Sequence, residues 1–200
     1  MDLLNSIILL TNFIVVPAIT YGSQLALGAI GVTLIYGVLR FANFAYGDLM
    51  AFATMIVILF TWYLQSIGIS LGVLPTALIA LPIGIIATIL ISIFFDKAVF
   101  KYYREKKSDP VILIVVSLGV MFILNAIVRI IIGPGDVTFM DGSRFILKAN
   151  EFKNLTGLNE GLAIKSTQLI TFITTIITCS LLFYFLNKTK TGKSMRAYSH

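Results

Sequence analysis

Two long runs without charged residues constrain this chain more than any other feature of its sequence. No Asp, Glu, Lys or Arg occurs in Leu3–Leu39 or in residues 49–95. About 20 apolar residues are enough to cross the hydrocarbon core of a bilayer once. Charged residues make up only 12% of the chain, against about 25% in a typical soluble domain. We therefore predict an all-α polytopic protein, a transmembrane helical bundle embedded in a lipid membrane.

Turn and charge signals divide the apolar sequence into predicted spans. Asp109 followed by Pro110 is typical of an N-cap and a first helical position. Residues 3–17 form an apolar leader, which we interpret as an interfacial segment that enters one tilted span. A separate span with a turn at 17–22 is the alternative. The predicted spans, about five in number, are residues 18–39, 49–64 with a start as early as Asn43, 74–95, 110–132 and 168–186.

Basic residues predict the orientation of these spans. The linker 96–109 holds five basic residues against three acids, and the tail after Leu186 holds four basic residues and no acid. Residues 133–167 hold four of each. Loops rich in Lys and Arg stay in the cytoplasm. We therefore predict a cytoplasmic linker and tail and an external loop at 133–167, which is long enough to dock an external partner.

Residues 43–48, with the sequence NFAYGD, form a polar segment between two apolar runs. Gly47 permits a local break, and Asn43 can cap a helix that begins there. A helix starting inside the protein would aim free N–H groups and its positive dipole end at a cavity, and Asp48 would be stabilised by that dipole. A segment of this kind either lines a path across the bilayer or forms a cytoplasmic turn. The candidate path residues are Asn43, Phe44, Tyr46, Gly47 and Asp48.

Two further features have competing interpretations. Ala18, Gly22 and Ala26 recur at intervals of four, which predicts close packing against another helix. Arg129 lies near the external end of the fourth span, with Asn125 one turn earlier. The guanidinium group either reaches the membrane surface or faces the interior of the bundle.

Several functions are disfavoured by the sequence. Cys179 is the only cysteine and His200 the only histidine, so we predict no disulfide, no metal site and no cofactor. Catalytic motifs are also missing, so an enzyme is not predicted. The net charge of +6 comes from residues beside the predicted spans. That placement orients the chain in the bilayer and indicates no role with nucleic acid.

Four motifs resemble one family of transport proteins. They are TYGS at 20–23, GVTLIYGVL at 31–39, NFAYGD at 43–48 and TGKSMRA at 191–197. Together they resemble the permease subunits of ABC importers for branched-chain amino acids, the LivH-type permeases. The motifs lie at both ends of the chain, so the resemblance covers essentially all of it.

The resemblance implies a multi-subunit importer in the bacterial inner (plasma) membrane. A periplasmic solute-binding protein would deliver the substrate, and this chain would form the path with a second homologous permease subunit. ATP-binding subunits on the cytoplasmic side would drive transport. Residues 187–200 would be the cytoplasmic coupling segment that docks on them. Its contact residues would be Gly192, Lys193, Met195 and Arg196.

The chain also departs from the family pattern. Tyr46 and Gly47-Asp48 stand where the family usually has His and Gly-Glu, so import of urea or short amides is an alternative. A structural membrane subunit without transport activity is another, and a channel or ion-coupled transporter is a third. The family continues beyond the coupling segment. We therefore expect residues 1–200 to be a single permease domain that is incomplete at its C-terminus.

Overall fold

The computed structural model describes residues 2–69, 71, 74–135, 145–157 and 160–198. Nearly all of them are helical. The elements in chain order are α1 Asp2–Leu10, a π-helical turn Thr11–Val15, α2 Val16–Leu39, α3 Ala45–Ser66, α4 Ala77–Phe95, a second π-helical turn Asp96–Phe100, α5 Lys101–Glu105, α6 Pro110–Ile132, β1 Phe145–Leu147, α7 Ala149–Thr156, β2 Ile164–Lys165, α8 Ser166–Lys188 and α9 Lys190–Tyr198.

Five helical stretches in the described part of the chain are long and apolar enough to cross a membrane. The predicted all-α polytopic fold with five spans is therefore confirmed. The third stretch is longer than predicted, because its helix continues through the second π-helical turn into the basic linker. The stretches are Leu3–Leu39, Ala45–Ser66, Ala77–Glu105, Pro110–Ile132 and Ser166–Lys188.

The leader and the first span form one helix. It runs for 37 residues, Leu3–Leu39, which corresponds to about 55 Å. The alternative with a turn at 17–22 is wrong, because α2 continues through Pro17 and Gly22. The π-helical turn lies directly before Pro17 and has the Val16 N–H donating to the Thr11 carbonyl. This wider turn accommodates the proline ring, which would otherwise meet a carbonyl of the preceding turn.

The chain divides into two compact units. Unit 1 comprises residues 1–31, 71–75 and 142–197, and unit 2 comprises residues 32–70, 76–141 and 198–200. In unit 2, α3 packs against α4 and α6. Gly84 of α4 allows the close approach of α3, because a Cβ there would collide with the Val57 side chain and press on the Ala53 carbonyl. The buried core of unit 2 consists of Phe41, Ala45, Phe95, Phe100, Leu113, Val120 and Leu124.

Unit 1 contains a small structured region within the predicted external loop. β1 and β2 pair antiparallel, with Phe145 opposite Lys165. Asn12, in the first π-helical turn, holds this region: its Nδ2 donates to the Gly161 carbonyl at 2.7 Å and its Oδ1 accepts from the Ala163 N–H at 3.0 Å. The sequence analysis predicted neither the strands nor α7. Residues 136–144 and 158–159 of the loop lie outside the described residues.

The predicted packing along the first span is not made by the described residues. A Cβ at Gly22, Gly28 or Gly37 would meet no atom within 4 Å, and α2 has no buried residue. Small residues at intervals of four permit close packing. They do not by themselves bring a partner helix.

Gly84→Val should lower the thermal stability of the purified protein. The larger side chain must displace Val57 or part α3 from α4, and overpacking of this kind costs about 1–3 kcal/mol. Gly119→Val on α6 is the matched control, because a Cβ there meets nothing within 4 Å. The midpoint of thermal unfolding in detergent measures both variants. Equal midpoints would contradict the α3–α4 packing.

Candidate functional site

The chain breaks its helix between α2 and α3 at residues 40–44. Arg40 takes a left-handed conformation with φ of 58°, and its N–H donates to the Tyr36 carbonyl at 2.9 Å. This bond ends α2 in the αL manner. Gly47, which by sequence permits a break, lies inside α3 in a continuous helix.

The position of the break is explained by the residue that follows it. Phe41 is only 3% exposed, and its ring lies 6.1 Å from that of Phe100. A non-glycine residue in the left-handed region costs about 1–2 kcal/mol. Full burial of a phenylalanine side chain contributes about 1.5–3 kcal/mol. The burial of Phe41 therefore offsets the strain at Arg40.

The first backbone donors of α3 have partners within unit 2. The Phe44 N–H donates to Ser117 Oγ at 3.2 Å, and the Ala45 N–H donates to Asn43 Oδ1 at 3.1 Å. The Tyr46 N–H donates to the Asn43 carbonyl at 3.3 Å. Asn43 thus caps the helix as predicted, from the position before the N-cap. For these three groups the expectation of free donors aimed at a cavity is wrong, since an unpaired N–H in apolar surroundings is costly.

Ser117 was missed by the sequence analysis. It is fully buried and donates its own hydroxyl hydrogen to the Ile114 carbonyl at 2.7 Å, which leaves its oxygen to accept from Phe44. The only available signal was an isolated serine within the apolar sequence of α6.

The 40–44 break is partly buried in unit 2. Phe41 and Ala45 are buried on either side of Asn43, while Arg40 and Phe44 are exposed. Ser117, the partner of Phe44, lies about two turns into α6. A small cavity of about 170 Å³ next to Asn43 is lined by the end of α4 and by Asp96 and Arg104. The break therefore combines two packed side chains, Phe41 and Ala45, with two exposed ones, Arg40 and Phe44.

A larger cavity lies between the C-terminal half of α2 and the start of α3. Its volume is about 470 Å³, within the range of small-molecule sites. Four of the five predicted path residues line it. At Gly47 a Cβ would meet no atom within 4 Å, so the glycine widens the cavity instead of breaking the helix. The lining residues are Val32, Thr33, Ile35, Tyr36, Ala42, Asn43, Phe44, Tyr46, Gly47 and Met50.

Asp48, the fifth predicted path residue, is not among the residues that line this cavity. Its Oδ1 accepts a hydrogen bond from Asn125 Nδ2 of α6 at 2.9 Å. The Asn125 Oδ1 in turn accepts from Arg129 Nε at 2.8 Å. Arg129 is exposed, and its bond to Asn125 runs along its own helix, α6.

The predicted coupling segment folds into α9, and Thr189, whose backbone is extended, forms the corner between α8 and α9. Thr189 holds this corner: its Oγ1 donates to the Phe185 carbonyl at 2.6 Å and accepts from the Gly192 N–H at 3.0 Å. Gly192 is buried, and a Cβ there would collide with Phe185 and Leu186. It is therefore a residue of the corner rather than of an exposed surface.

The other three predicted coupling residues lie further along α9. Lys193 is exposed and Met195 is half-buried. Arg196 belongs to α9, but its side chain lies outside the described residues.

No group of three or more metal-ligating side chains occurs among the residues the structure describes. What they contain is a set of membrane-length helices, one of which starts after a break beside a cavity. These features are those of a multi-pass membrane protein.

Comparison with known proteins agrees with that class. Residues 14–199 match the family described as branched-chain amino acid transport system / permease component. The chain belongs to this family, and it is a multi-pass protein of the bacterial inner membrane.

Among curated proteins, the chain is similar to the high-affinity branched-chain amino acid transport system permease protein LivH of Salmonella typhimurium and of Escherichia coli. Each is 24% identical to it over 183 residues, which is 90% of this chain. The chain spans 56% of the length of these relatives. No solved structure matches it.

Ser117→Ala should loosen the start of α3. It removes the side-chain acceptor of the Phe44 N–H, and an unsatisfied buried donor costs about 1–3 kcal/mol. We expect faster hydrogen exchange of the amides at 44–46 and a lower thermal midpoint. The control is Thr54→Ala, because the Thr54 hydroxyl bonds the Met50 carbonyl of its own helix. Unchanged exchange in Ser117→Ala would show that Ser117 does not hold the helix start.

Proposed function

We propose that this chain is a permease subunit of an ATP-driven importer and forms the translocation path for branched-chain and other hydrophobic amino acids. The observation that carries the proposal is the cavity of about 470 Å³ beside the 40–44 break. Broken helices next to a cavity are the usual way in which membrane transporters build a solute path.

The chemistry of the cavity suits an amphipathic solute. Val32, Ile35 and Met50 offer apolar surface to an aliphatic side chain, while Asn43 and Tyr46 offer an amide and a hydroxyl to polar groups. None of its lining residues is charged. An uncharged cavity binds a zwitterion weakly, which suits a path from which the solute must also leave.

The path extends along α3 in the same unit. A second cavity of about 370 Å³, between α3 and α4, shares Ile35, Tyr46 and Met50 with the first. Tyr46 therefore stands between two cavities.

The partners follow from the proposed importer. A periplasmic solute-binding protein would supply affinity and deliver the solute to the external side. A second homologous permease subunit would complete the path. ATP-binding subunits would dock on α9, whose corner with α8 is fixed by Thr189 and by the close contact of Gly192. A fixed corner can pass a movement of α9 on to α8, which a flexible tail could not do.

Gly47→Val should block uptake without removing the protein from the membrane. The new side chain would fill space in the wall of the cavity. We expect the initial rate of labelled leucine uptake to fall about tenfold or more, which corresponds to at least about 1.4 kcal/mol added to the barrier. The assay uses a transport-deficient host that expresses the complete operon. Gly28→Val is the control, because that position is equally open but lies outside the cavity lining.

The same assay tests the substrate class. Uptake of labelled urea or acetamide, but not leucine, by the unmodified complex would favour the amide alternative. Uptake of none of these solutes would contradict a transport path and favour a structural subunit.

Lys193→Glu should weaken coupling to the ATP-binding subunits. Lys193 is exposed on α9, and reversing an interface charge commonly weakens association. In nanodiscs we expect the stimulation of ATP hydrolysis by loaded binding protein to fall about threefold. Lys106→Glu, in the basic linker, is the control for a charge change on the predicted cytoplasmic side. Equal stimulation in Lys193→Glu and the unmodified complex would argue against docking on this surface of α9.

A further inference from the structure

Three polar side chains connect α3 to α6 in a single chain of hydrogen bonds. Asn125 Nδ2 donates to Asp48 Oδ1 at 2.9 Å, and Arg129 Nε donates to Asn125 Oδ1 at 2.8 Å. We call Asp48, Asn125 and Arg129 the relay. It joins an acid in the first turn of α3 to a base in the last turn of α6. Each charge also complements the dipole of its own helix.

The side-chain amide of Asn125 donates one of these hydrogen bonds and accepts the other. An amide both donates and accepts, so it can bridge a carboxylate and a guanidinium group that do not bond directly. Asp48 and Asn125 are both partly buried, and Asn125 lies in the second half of a candidate membrane span. Ionisable groups at such depth need a partner. Asn125 connects Asp48 to a positive charge from the neighbouring helix.

The relay also lies beside the cavity without lining it. Tyr46 and Gly47 are in the cavity wall, and the next residue, Asp48, bonds to α6. Together with the bond from the Phe44 N–H to Ser117, the relay provides a second link between the start of α3 and α6. A helix held at two points one turn apart cannot readily rotate or slide, so the relay fixes how Tyr46 and Gly47 face the cavity.

We propose that Asn125 is the positioning residue of the transport path, which holds the start of α3 in place by linking Asp48 to Arg129. Its transport effect rests on the function proposed above. Because the solute-binding protein sets the apparent affinity in such an importer, loss of the relay lowers the maximum rate of uptake and leaves KM nearly unchanged.

The test asks whether a second substitution, Asp48→Asn, suppresses the effect of Asn125→Asp. Asn125→Asp places a carboxylate against Asp48, so the two groups repel and neither donates when both are ionised. Adding Asp48→Asn restores the hydrogen bond in the opposite direction, because the amide at position 48 donates to the carboxylate at position 125. The carboxylate at position 125 also bonds Arg129 directly. Asp48→Asn alone keeps an amide–amide hydrogen bond and loses only the charge.

We expect Asn125→Asp to lower the maximum rate of leucine uptake about tenfold, and Asp48→Asn alone to lower it about threefold or less. The double variant should transport at a rate close to that of Asp48→Asn alone. Hydrogen exchange of the 41–50 peptide in nanodiscs should rise in Asn125→Asp and return to normal in the double variant. Asp109→Asn makes the same chemical change at the N-cap of α6 and should not suppress Asn125→Asp.

Normal uptake and exchange in Asn125→Asp would overturn the proposal, and so would failure of Asp48→Asn to suppress it. If Asn125→Asp does not accumulate in the membrane, the test is the amount of the double variant found there. Recovery of the normal amount supports the relay, and continued loss of the protein refutes it. Absence of all uptake by the unmodified complex would count against the proposed function alone, because the exchange measurement still tests the relay.

Discussion

The start of α3 depends on one physical requirement, which is that backbone donors inside a membrane protein must be satisfied by the protein itself. A helix that begins at a break exposes N–H groups with no partner of their own. Here Ser117 and Asn43 accept from Phe44, Ala45 and Tyr46. This arrangement lets a helix begin beside a cavity without a costly unpaired group in its wall. It also ties the position of α3 to α6.

The two sides of α3 therefore make different contacts. One side, with Tyr46 and Gly47, faces the larger cavity. The other side bonds to α6 through the backbone N–H of Phe44 and the carboxylate of Asp48. The five predicted path residues are therefore not one site. Four line the larger cavity, and Asp48 instead bonds Asn125 of α6; on the proposed function, Asp48 would act on the path through the placement of the helix.

The corner between α8 and α9 follows a similar principle. The Thr189 hydroxyl serves the last turn of α8 and the first turn of α9 at once, and Gly192 removes the side chain that would prevent their contact. Small and hydroxyl-bearing residues thus set the geometry of the predicted coupling segment. On the proposed function, the basic residues beyond this corner are the ones available to a partner.

The sequence by itself determined the five spans, because apolar length is a local property and each span is bounded by charges or turn residues close in the chain. It also located the start of α6 at Asp109-Pro110 and the membership of the permease family. The position of the break at 40–44 was decided by tertiary structure, because Phe41 is buried against Phe100, which is distant in the chain. The separation of Asp48 from the cavity, and the bond between Phe44 and Ser117 across 73 residues, likewise depend on which helix lies beside α3. Local patterns carry no information about that pairing, since a serine or an asparagine in an apolar helix has the same sequence signature whether it faces lipid or another backbone.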